Sequence, residues 1–400
     1  QDISPAVAAS GGKYLVAWTV NSRTTLNDDI RAAFVSAPGV VSPSFTVAAL
    51  ADQQENGVAL AGGPNGGFFS AWRRGPTGYP PQYDDIYGTW INGNGTSSPP
   101  DGFPVAASPG RERAVSVTGG NSTYGVVWRV GSSAPSSVFG AIVPGTPVAQ
   151  PGTPAPVLIS NYTSEHGPEI AWNGSQYRVV WRHLQGNDFI MTAPFGENGE
   201  TGPVEILTDG QLRRSEPVIV ARGTGWQTMW VEEVFRSYPQ GSVEQRVAFA
   251  SLNAAGQITG GDFFATRFID RDTLAAAAAP DGGVFLVYPV PGGGAEQGKE
   301  PSRTGALEAV LFRPDLPAAD PEFSFLESGP QTILRWKPDP YYPRDAANCE
   351  TSIDLQHWVP LLILKPGAQT GGTGSDATVA FPSLPETHRY FRLNPAPVAP

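Results

Sequence analysis

One pattern recurs six times along the first three quarters of this chain. Each occurrence contains a run of small apolar residues, a glycine-rich turn, an apolar run that ends in an aromatic residue, a polar loop and a further apolar run. The aromatic residues stand about 50 to 60 positions apart, and they are Trp18, Trp72, Trp128, Trp181, Trp230 and Tyr288. This spacing is typical of a four-stranded antiparallel sheet, the repeating unit of a β-propeller. The sequence therefore predicts an all-β, six-bladed propeller.

The predicted propeller occupies residues 1–318. Its blades lie near residues 2–50, 54–108, 111–160, 165–209, 214–267 and 271–316. The sixth repeat has no obvious fourth strand after Phe312. We expect either a last blade of three strands or completion of that blade by Phe323 to Leu326. The tryptophans at the repeated position are expected to pack between blades, whereas Trp172 and Trp226 fall outside the pattern and are expected to be freer to face solvent.

Composition excludes several classes of function. The 47 glycines and 40 prolines, in a chain that is 40% hydrophobic, indicate many tight turns. The net charge of −11 argues against nucleic acid as a partner, and no apolar run is long enough to span a membrane. Cys349 is the single cysteine, so no internal disulfide can form. Acidic, lysine-poor β repeats favour a secreted bacterial protein, from which a leader peptide would have been removed before Gln1 unless the sequence simply begins there.

The repeats resemble those of bacterial extracellular propeller proteins. The matching segments are Pro5 to Ala8, Tyr14 to Trp18 and Asp29 to Ile30 in the first repeat, and Tyr83 to Thr89 in the second. The resemblance covers roughly residues 2–316. It implies the propeller fold and no particular activity.

The last part of the chain resembles a C-terminal module of secreted proteins from Verrucomicrobia and Planctomycetes. The segments that carry this resemblance are Thr332 to Trp336, Asn348 to Trp358 and His388 to Leu393, with Ile353 and His357 as mild departures. The resemblance implies a small Ig-like β-sandwich at residues 322–396, outside the cytoplasm and without catalytic activity.

Charged residues concentrate in one set of loops. In a propeller, the loop between the second and third strands lies on the same face as the connection between blades. Only 16% of all residues are charged, so clustering on that face makes it the expected site of ligand binding. The predicted ligand-binding residues are Glu55, Arg73, Glu112, Arg129, Glu165, Arg182, Glu216, Glu232 and Asp272.

An acid precedes the innermost strand of every repeat. These acids are Asp2, Glu55, Glu112, Glu165, Glu216 and Asp272. Six carboxylates around a channel mouth could hold Ca²⁺, the single cofactor that the sequence suggests. Alternatively, each acid pairs with a neighbouring arginine or with backbone N–H groups and ties the blades together. The interleaved arginines favour this second reading.

Two constellations suggest catalysis on carbohydrates. His166, His183, Arg182 and Tyr162 are the candidates for a polysaccharide lyase, which needs a base and cations that stabilise a carboxylate. A glycosidase instead needs two carboxyl groups at a fixed separation, and Glu232 or Glu233 with Asp272 are the candidates.

The leading functional hypothesis is a secreted, non-catalytic binding or surface-assembly protein, with a glycan or a protein at the cell surface as its partner. The alternative is a carbohydrate-active enzyme, either a polysaccharide lyase or a glycoside hydrolase, with its site on the same charged face.

Overall fold

The structure is a computed structural model of the whole chain. It describes residues 2–21, 27–36, 39–77, 84–131, 136–163, 167–185, 187–215, 217–236, 242–265, 274–279, 282–290, 306–312, 323–328, 331–336, 347–352, 359–364, 377–382 and 390–395. The fold is all-β, and the described residues contain one 3-10 turn, Pro64–Gly66, and no α-helix. The chain divides into two compact units, Gln1–Arg313 and Pro314–Pro400.

The first unit consists of six antiparallel sheets that follow one another along the chain. Sheet 1 contains β1 (Asp2–Ser10), β2 (Lys13–Asn21), β3 (Asp28–Ser36), β4 (Val40–Val41) and β5 (Phe45–Ala48). Sheet 2 contains β6 (Gln53–Gly62), β7 (Phe68–Pro76), β8 (Asp85–Ile91) and β9 (Ser97–Ala106). Sheet 3 contains β10 (Glu112–Gly119), β11 (Thr123–Val130), β12 (Ser136–Pro144) and β13 (Val157–Thr163).

The next three sheets repeat this arrangement. Sheet 4 contains β14 (Glu169–Trp172), β15 (Tyr177–Gln185), β16 (Asn187–Phe195) and β17 (Glu205–Ile206). Sheet 5 contains β18 (Arg213–Arg214), β19 (Val218–Arg222), β20 (Gly225–Arg236), β21 (Ser242–Leu252) and β22 (Ile258–Ala265). Sheet 6 contains β23 (Ala275–Ala278), β24 (Val284–Val290) and β25 (Ala306–Phe312). Consecutive strands pair within each sheet, except that β5 pairs with β3, and β18 pairs with β20 rather than with β19.

Neighbouring sheets pack through their first strands. Strand β1 contacts β6, β6 contacts β10, β10 contacts β14, β14 contacts β19, and β19 contacts β23. The first strands come so close that glycine is required at the contact. A Cβ atom at Gly62 would overlap the carbonyl oxygen of Ala9, and one at Gly119 would overlap that of Gly62. The first strands of successive sheets therefore lie side by side, in the order of the chain.

The repeated aromatic residue fills the space between one sheet and the sheet before it. Trp72 packs with residues of sheet 1, Trp128 with sheet 2, Trp181 with sheet 3, Trp230 with sheet 4 and Tyr288 with sheet 5. All five are buried, which agrees with the expected packing between sheets.

The expectation for the irregular tryptophans is wrong for Trp226, which is 1% exposed and belongs to the core between sheets 4 and 5. Trp172 is half-buried and thus more exposed than the repeated tryptophans, as expected, and its ring lies 4.6 Å from that of Tyr177 between centroids. The ring of Trp226 is buried because the neighbouring sheet 4 covers it.

The second unit contains two three-stranded sheets. One has the order β26 (Phe323–Ser328), β27 (Gln331–Trp336) and β30 (Ala377–Pro382). The other has the order β29 (Val359–Leu364), β28 (Ala347–Ser352) and β31 (Tyr390–Pro395). The segment Phe323 to Leu326, considered above as a completing strand of the sixth repeat, pairs with β27 instead. Sheet 6 thus has three strands within the described residues. No helix in the described part of the chain is long and apolar enough to cross a membrane.

Candidate functional site

Charged side chains gather at one end of the sheets, where each second strand finishes and each third strand begins. We call this the charged end, and its main described members are Glu55, Arg73, Arg74, Asp84, Asp85, Arg111, Glu112, Arg113, Arg182, Asp188, Arg214 and Glu232. Strand pairing brings these residues together, because Glu55 is opposite Arg74 and Arg74 is opposite Asp85. In sheet 5 the pairing likewise sets Arg214 opposite Glu232.

An acid at the start of the third strand fastens each of three sheets to the next sheet. Asp28 Oδ2 accepts from Asn56 Nδ2 at 3.3 Å. Asp84 Oδ2 accepts from Arg111 Nη2 at 3.1 Å, and Asp188 Oδ2 accepts from the backbone N–H of Arg214 at 3.0 Å. These contacts join equivalent ends of neighbouring sheets and establish that the charged groups of sheets 1 and 2, of 2 and 3, and of 4 and 5 meet at their boundaries.

The boundary between sheets 2 and 3 contains a cluster of arginines around one buried carboxylate. Asp84 Oδ2 lies 3.1 Å from Arg111 Nη2, 3.5 Å from Arg113 Nε and 3.8 Å from Arg73 Nη1. The Asp84 side chain is 3% exposed, whereas the three arginine side chains remain 20 to 28% exposed. The arginines therefore present positive charge to solvent above a carboxylate that solvent hardly reaches.

Two carboxyl groups meet beside this cluster. Asp85 is half-buried, Glu112 is fully buried, and their side chains are hydrogen-bonded to each other. Burial and the adjacent charge of Asp84 raise the pKa of Asp85, although the hydrogen bond from Glu112 opposes this shift. Burial also raises the pKa of Glu112, against hydrogen bonds donated by Ser108. Two carboxyl groups in contact repel each other when both are ionised, so this contact disfavours the doubly ionised state.

A second carboxyl site lies at the boundary between sheets 1 and 2. Glu55 is fully buried, and its Oε1 accepts from Arg74 Nε at 3.0 Å while Oε2 has no hydrogen-bond partner. Burial outweighs the attraction of Arg74 and raises the pKa of Glu55 to about 7. Asp29 contributes to this shift, and its own pKa is raised by partial burial and by Asp28.

A further charged cluster at the boundary between sheets 4 and 5 centres on Arg214 and Glu232. Arg214 donates from Nε to Glu232 Oε1 at 3.0 Å and from Nη2 to Asp209 Oδ1 at 2.9 Å. Arg246 donates to Glu232 Oε2 at 2.8 and 3.0 Å, and Trp230 Nε1 donates to Oε1 at 3.0 Å. Both oxygens of Glu232 are occupied by donors from strands of sheet 5, so this predicted glycosidase carboxyl has a structural role within that sheet.

The predicted lyase residues are only partly described. Arg182 Nη2 lies 2.9 Å from Asp188 Oδ2, and the ring of His183 lies 6.2 Å from that of Phe189 between centroids. His166 lies outside the described residues, as does the side chain of Tyr162. The predicted assembly of these four residues therefore stays a prediction.

The remaining predicted ligand-binding residues are distributed as follows. Arg129 is buried in sheet 3, and its Nη1 donates to Ser136 Oγ at 3.4 Å. Glu165, Glu216 and Asp272 lie outside the described residues, and so does the side chain of Asp2. Among the acids of the predicted calcium ring, the structure describes the carboxyl groups of Glu55 and Glu112 alone.

No group of three or more histidine, cysteine, aspartate or glutamate side chains suited to a metal ion occurs within the described part of the chain. Glu55 and Glu112 both accept hydrogen bonds from neighbouring protein groups. The calcium ring stays a prediction, because four of its six carboxyl groups lie outside the described part.

Sequence analysis missed the carboxyl groups of Asp84, Asp85 and Asp29 as site residues. A signal for them was present, since Asp28 to Ile30 and Asp84 to Ile86 repeat the same Asp-Asp-Ile sequence at the start of the third strand. In both copies the first aspartate contacts the next sheet and the second lies beside a buried glutamate.

Comparisons with known proteins identify no family by sequence. No protein-family model matches the chain, and no curated protein matches it. Several solved structures do match. The GH43 endo-arabinanase of Bacillus licheniformis is 12% identical with a TM-score of 0.36, and the match covers 77% of this chain and 92% of that chain. A mutant Trypanosoma rangeli sialidase with trans-sialidase activity is 8% identical with a TM-score of 0.44, covering 100% and 84% of the two chains.

A further match is the β-propeller domain of the Trilobed protease from Pyrococcus furiosus. It is 9% identical with a TM-score of 0.38, and the match covers 84% of this chain and 90% of that chain. The matched structures are mainly glycoside hydrolases and sialidases. They contradict the leading hypothesis of a non-catalytic binding or surface-assembly protein, and that hypothesis is not retained.

Proposed function

We propose that this protein is a carbohydrate-active enzyme of the glycoside hydrolase type, with its active site at the charged end of sheets 2 and 3. One observation carries this proposal, namely the hydrogen-bonded contact between the carboxyl groups of Asp85 and Glu112, both with a raised pKa, at an end of the fold that solvent can reach. Hydrolysis of a glycosidic bond requires a carboxyl group that still holds its proton near neutral pH.

Asp85 is the member of the pair that transfers the proton. It is half-buried, so a substrate can touch it, whereas Glu112 is enclosed by protein. Glu112 acts as a positioning residue, and Ser108 fixes it by donating both its backbone N–H, at 3.1 Å, and its hydroxyl. Deprotonation of the pair would leave two carboxylates in contact, and this repulsion keeps the proton on the pair to higher pH than an isolated carboxyl would retain it.

Glycoside hydrolases need a second carboxyl group as base or nucleophile, and Asp29 is our candidate. Asp29 and Asp85 occupy equivalent positions at the starts of β3 and β8, since each lies two residues before the partner of the repeated tryptophan. Asp29 is half-buried and therefore accessible from the same end of the sheets.

The proposal is tested by measuring released reducing sugar from a panel of neutral and acidic polysaccharides. Asp85→Asn should lower kcat by a factor of about 10² to 10⁴, the usual effect of losing a general acid. Asp29→Asn should have a comparable effect. Glu200→Gln, at the opposite end of sheet 4 on an exposed turn, is the matched control and should leave the rate unchanged.

Glu112→Gln gives an independent readout of the contact between the two carboxyl groups. Glutamine preserves the hydrogen bond to Asp85 but removes the second carboxyl, so deprotonated Asp85 no longer faces a like charge. The alkaline limb of the pH–rate profile should therefore move to lower pH. Full activity in Asp85→Asn, or no turnover on any substrate of the panel by the parent protein, would contradict the proposal.

The proposed enzyme has two further architectural features. We propose that the six sheets close as a six-bladed propeller over residues 1–318 and that residues 322–396 form an Ig-like module. The repeat resemblance supports a secreted bacterial origin. Closure would bring sheet 6 against sheet 1, and an engineered cysteine pair across that boundary would test it.

A further inference from the structure

We propose that the exposed arginines around Asp84 bind the carboxylate of an acidic sugar, so that the substrate of the proposed active site is a uronic-acid-containing glycan. This inference rests on the proposed function, because it concerns the same boundary between sheets 2 and 3. The observation that supports it is the surplus of positive charge at Arg73, Arg111 and Arg113.

The surplus is evident from a comparison with the equivalent boundary between sheets 4 and 5. There the guanidinium groups of Arg182, Arg214 and Arg246 are matched by the carboxylates of Asp188, Glu232 and Asp209. At the boundary between sheets 2 and 3, three guanidinium groups converge on the single carboxylate of Asp84. The neighbouring carboxyl groups of Asp85 and Glu112 are hydrogen-bonded to each other, and Glu112 also accepts from Ser108. The aspartate that joins one sheet to the next needs only one hydrogen-bond donor. At the boundary between sheets 1 and 2, the side-chain amide of Asn56 is that donor.

The geometry suits a carboxylate in particular. The arginines already converge on one carboxylate, and their side chains keep 20 to 28% of their surface exposed. Of the three arginines, Arg111 donates a hydrogen bond to Asp84, at 3.1 Å. Arg73 and Arg113 lie 3.8 and 3.5 Å from Asp84, and their partly exposed guanidinium groups can engage a planar anion. The adjacent Asp85 would then face the glycosidic oxygen of the bound acidic sugar.

The test is isothermal titration calorimetry with three oligosaccharides of equal length. They are an oligogalacturonate, the same oligosaccharide after reduction of its carboxyl groups to alcohols, and a sulfated neutral oligosaccharide. The parent protein should bind the oligogalacturonate at least tenfold more tightly than its reduced form. Arg73→Gln and Arg113→Gln should each weaken that binding about tenfold, the usual value of a charged hydrogen bond, and both variants retain the Arg111 contact to Asp84.

Arg31→Gln is the charge-matched control. Arg31 lies on β3 and donates to Ser44 Oγ at 3.0 Å, so its loss changes net charge equally without altering the cluster. Equal affinity for the acidic and reduced oligosaccharides, preference for the sulfated one, or unchanged binding in both arginine variants would overturn the inference.

Binding and turnover separate this inference from the proposed function. Selective binding of the oligogalacturonate without hydrolysis of any glycan would support the carboxylate site and contradict the enzyme. Hydrolysis of neutral glycans that is insensitive to Arg73→Gln and Arg113→Gln would support the enzyme and contradict the carboxylate site.

Discussion

Glu55 and Arg74 form a buried ion pair whose carboxyl group ionises less readily than an isolated glutamate. Arg74 Nε lies 3.0 Å from Glu55 Oε1, and the two side chains are 7% and 0% exposed. Burial raises the pKa of Glu55 to about 7 from its ordinary 4.5, because the attraction of Arg74 compensates only part of the lost hydration. Folding therefore favours the protonated form of Glu55, because the cost of burying the ionised carboxyl group exceeds the attraction of Arg74.

This relationship predicts a pH-dependent free energy of unfolding. Between pH 4.5 and about 7 the folded protein holds a proton that the unfolded chain has released, so stability falls as pH rises through this range. The contribution of Glu55 protonation to the free energy of unfolding is fully present below pH 4.5. Its loss above pH 7 lowers that free energy by about 3 kcal/mol at most. Glu55→Gln cannot titrate, and its stability should lack this component.

The measurement is urea denaturation of parent and variant at pH 4.5, 6 and 8. The difference in unfolding free energy between the two proteins should grow in favour of Glu55→Gln as pH rises. A difference that is constant with pH would mean that Glu55 titrates normally in the folded protein.

Trp128 should be among the most costly side chains to truncate. It is 1% exposed and packs between sheets 2 and 3, with its ring 6.3 Å from that of Phe139 between centroids. Trp128→Ala is expected to lower the unfolding free energy by about 3 to 5 kcal/mol. Tyr14→Ala, at a position 50% exposed on β2, is the control and should change it by less than about 1 kcal/mol. A Trp128→Ala variant that melts with the parent would exclude this packing.

The sequence predicts much of the sheet architecture because its information is local. Glycine turns and a repeated aromatic residue specify where each strand ends and which side is buried, as Trp72, Trp128 and Trp181 illustrate. The pattern fails for Trp226, because its burial depends on contact with the neighbouring sheet 4 rather than on its own hairpin.

The site was less predictable, because its properties arise between sheets. The sequence identifies Glu55, Glu112 and Arg73 as charged-end residues. It cannot distinguish a carboxylate saturated with donors, such as Glu232, from a buried carboxyl group with a raised pKa, such as Glu112. That difference depends on which groups the next sheet brings into contact. The repeated Asp-Asp-Ile sequence was the one local signal of it.

Gly256 is predicted to be intolerant of any side chain. Its φ is +85°, and a Cβ would overlap the guanidinium of Arg178, which is fully buried and donates from Nε to Thr192 Oγ1 at 2.9 Å. Gly256→Ala must therefore both strain the backbone and displace a buried cation, at a cost of about 3 kcal/mol or more.

Gly223 supplies the matched control for that substitution. Its φ is +57°, but no atom lies within 4 Å of the position a Cβ would take. Gly223→Ala should cost only the backbone strain, about 1 kcal/mol. Equal destabilisation of the two variants in thermal melts would show that Arg178 moves aside freely.

The first unit is expected to fold without the second. The division falls between Arg313 and Pro314, directly after β25, and the next described strand, β26, pairs with β27 rather than with sheet 6. A chain that ends at Arg313 thus loses no strand pairing of its six sheets among the described residues. It should remain monodisperse in size-exclusion chromatography, keep the far-UV circular dichroism of a β protein and unfold in one cooperative transition. The full-length chain measured in parallel is the reference, and its melting curve should contain the same transition. Aggregation of the shortened chain, or loss of its cooperative transition, would mean that the second unit is needed to complete the first.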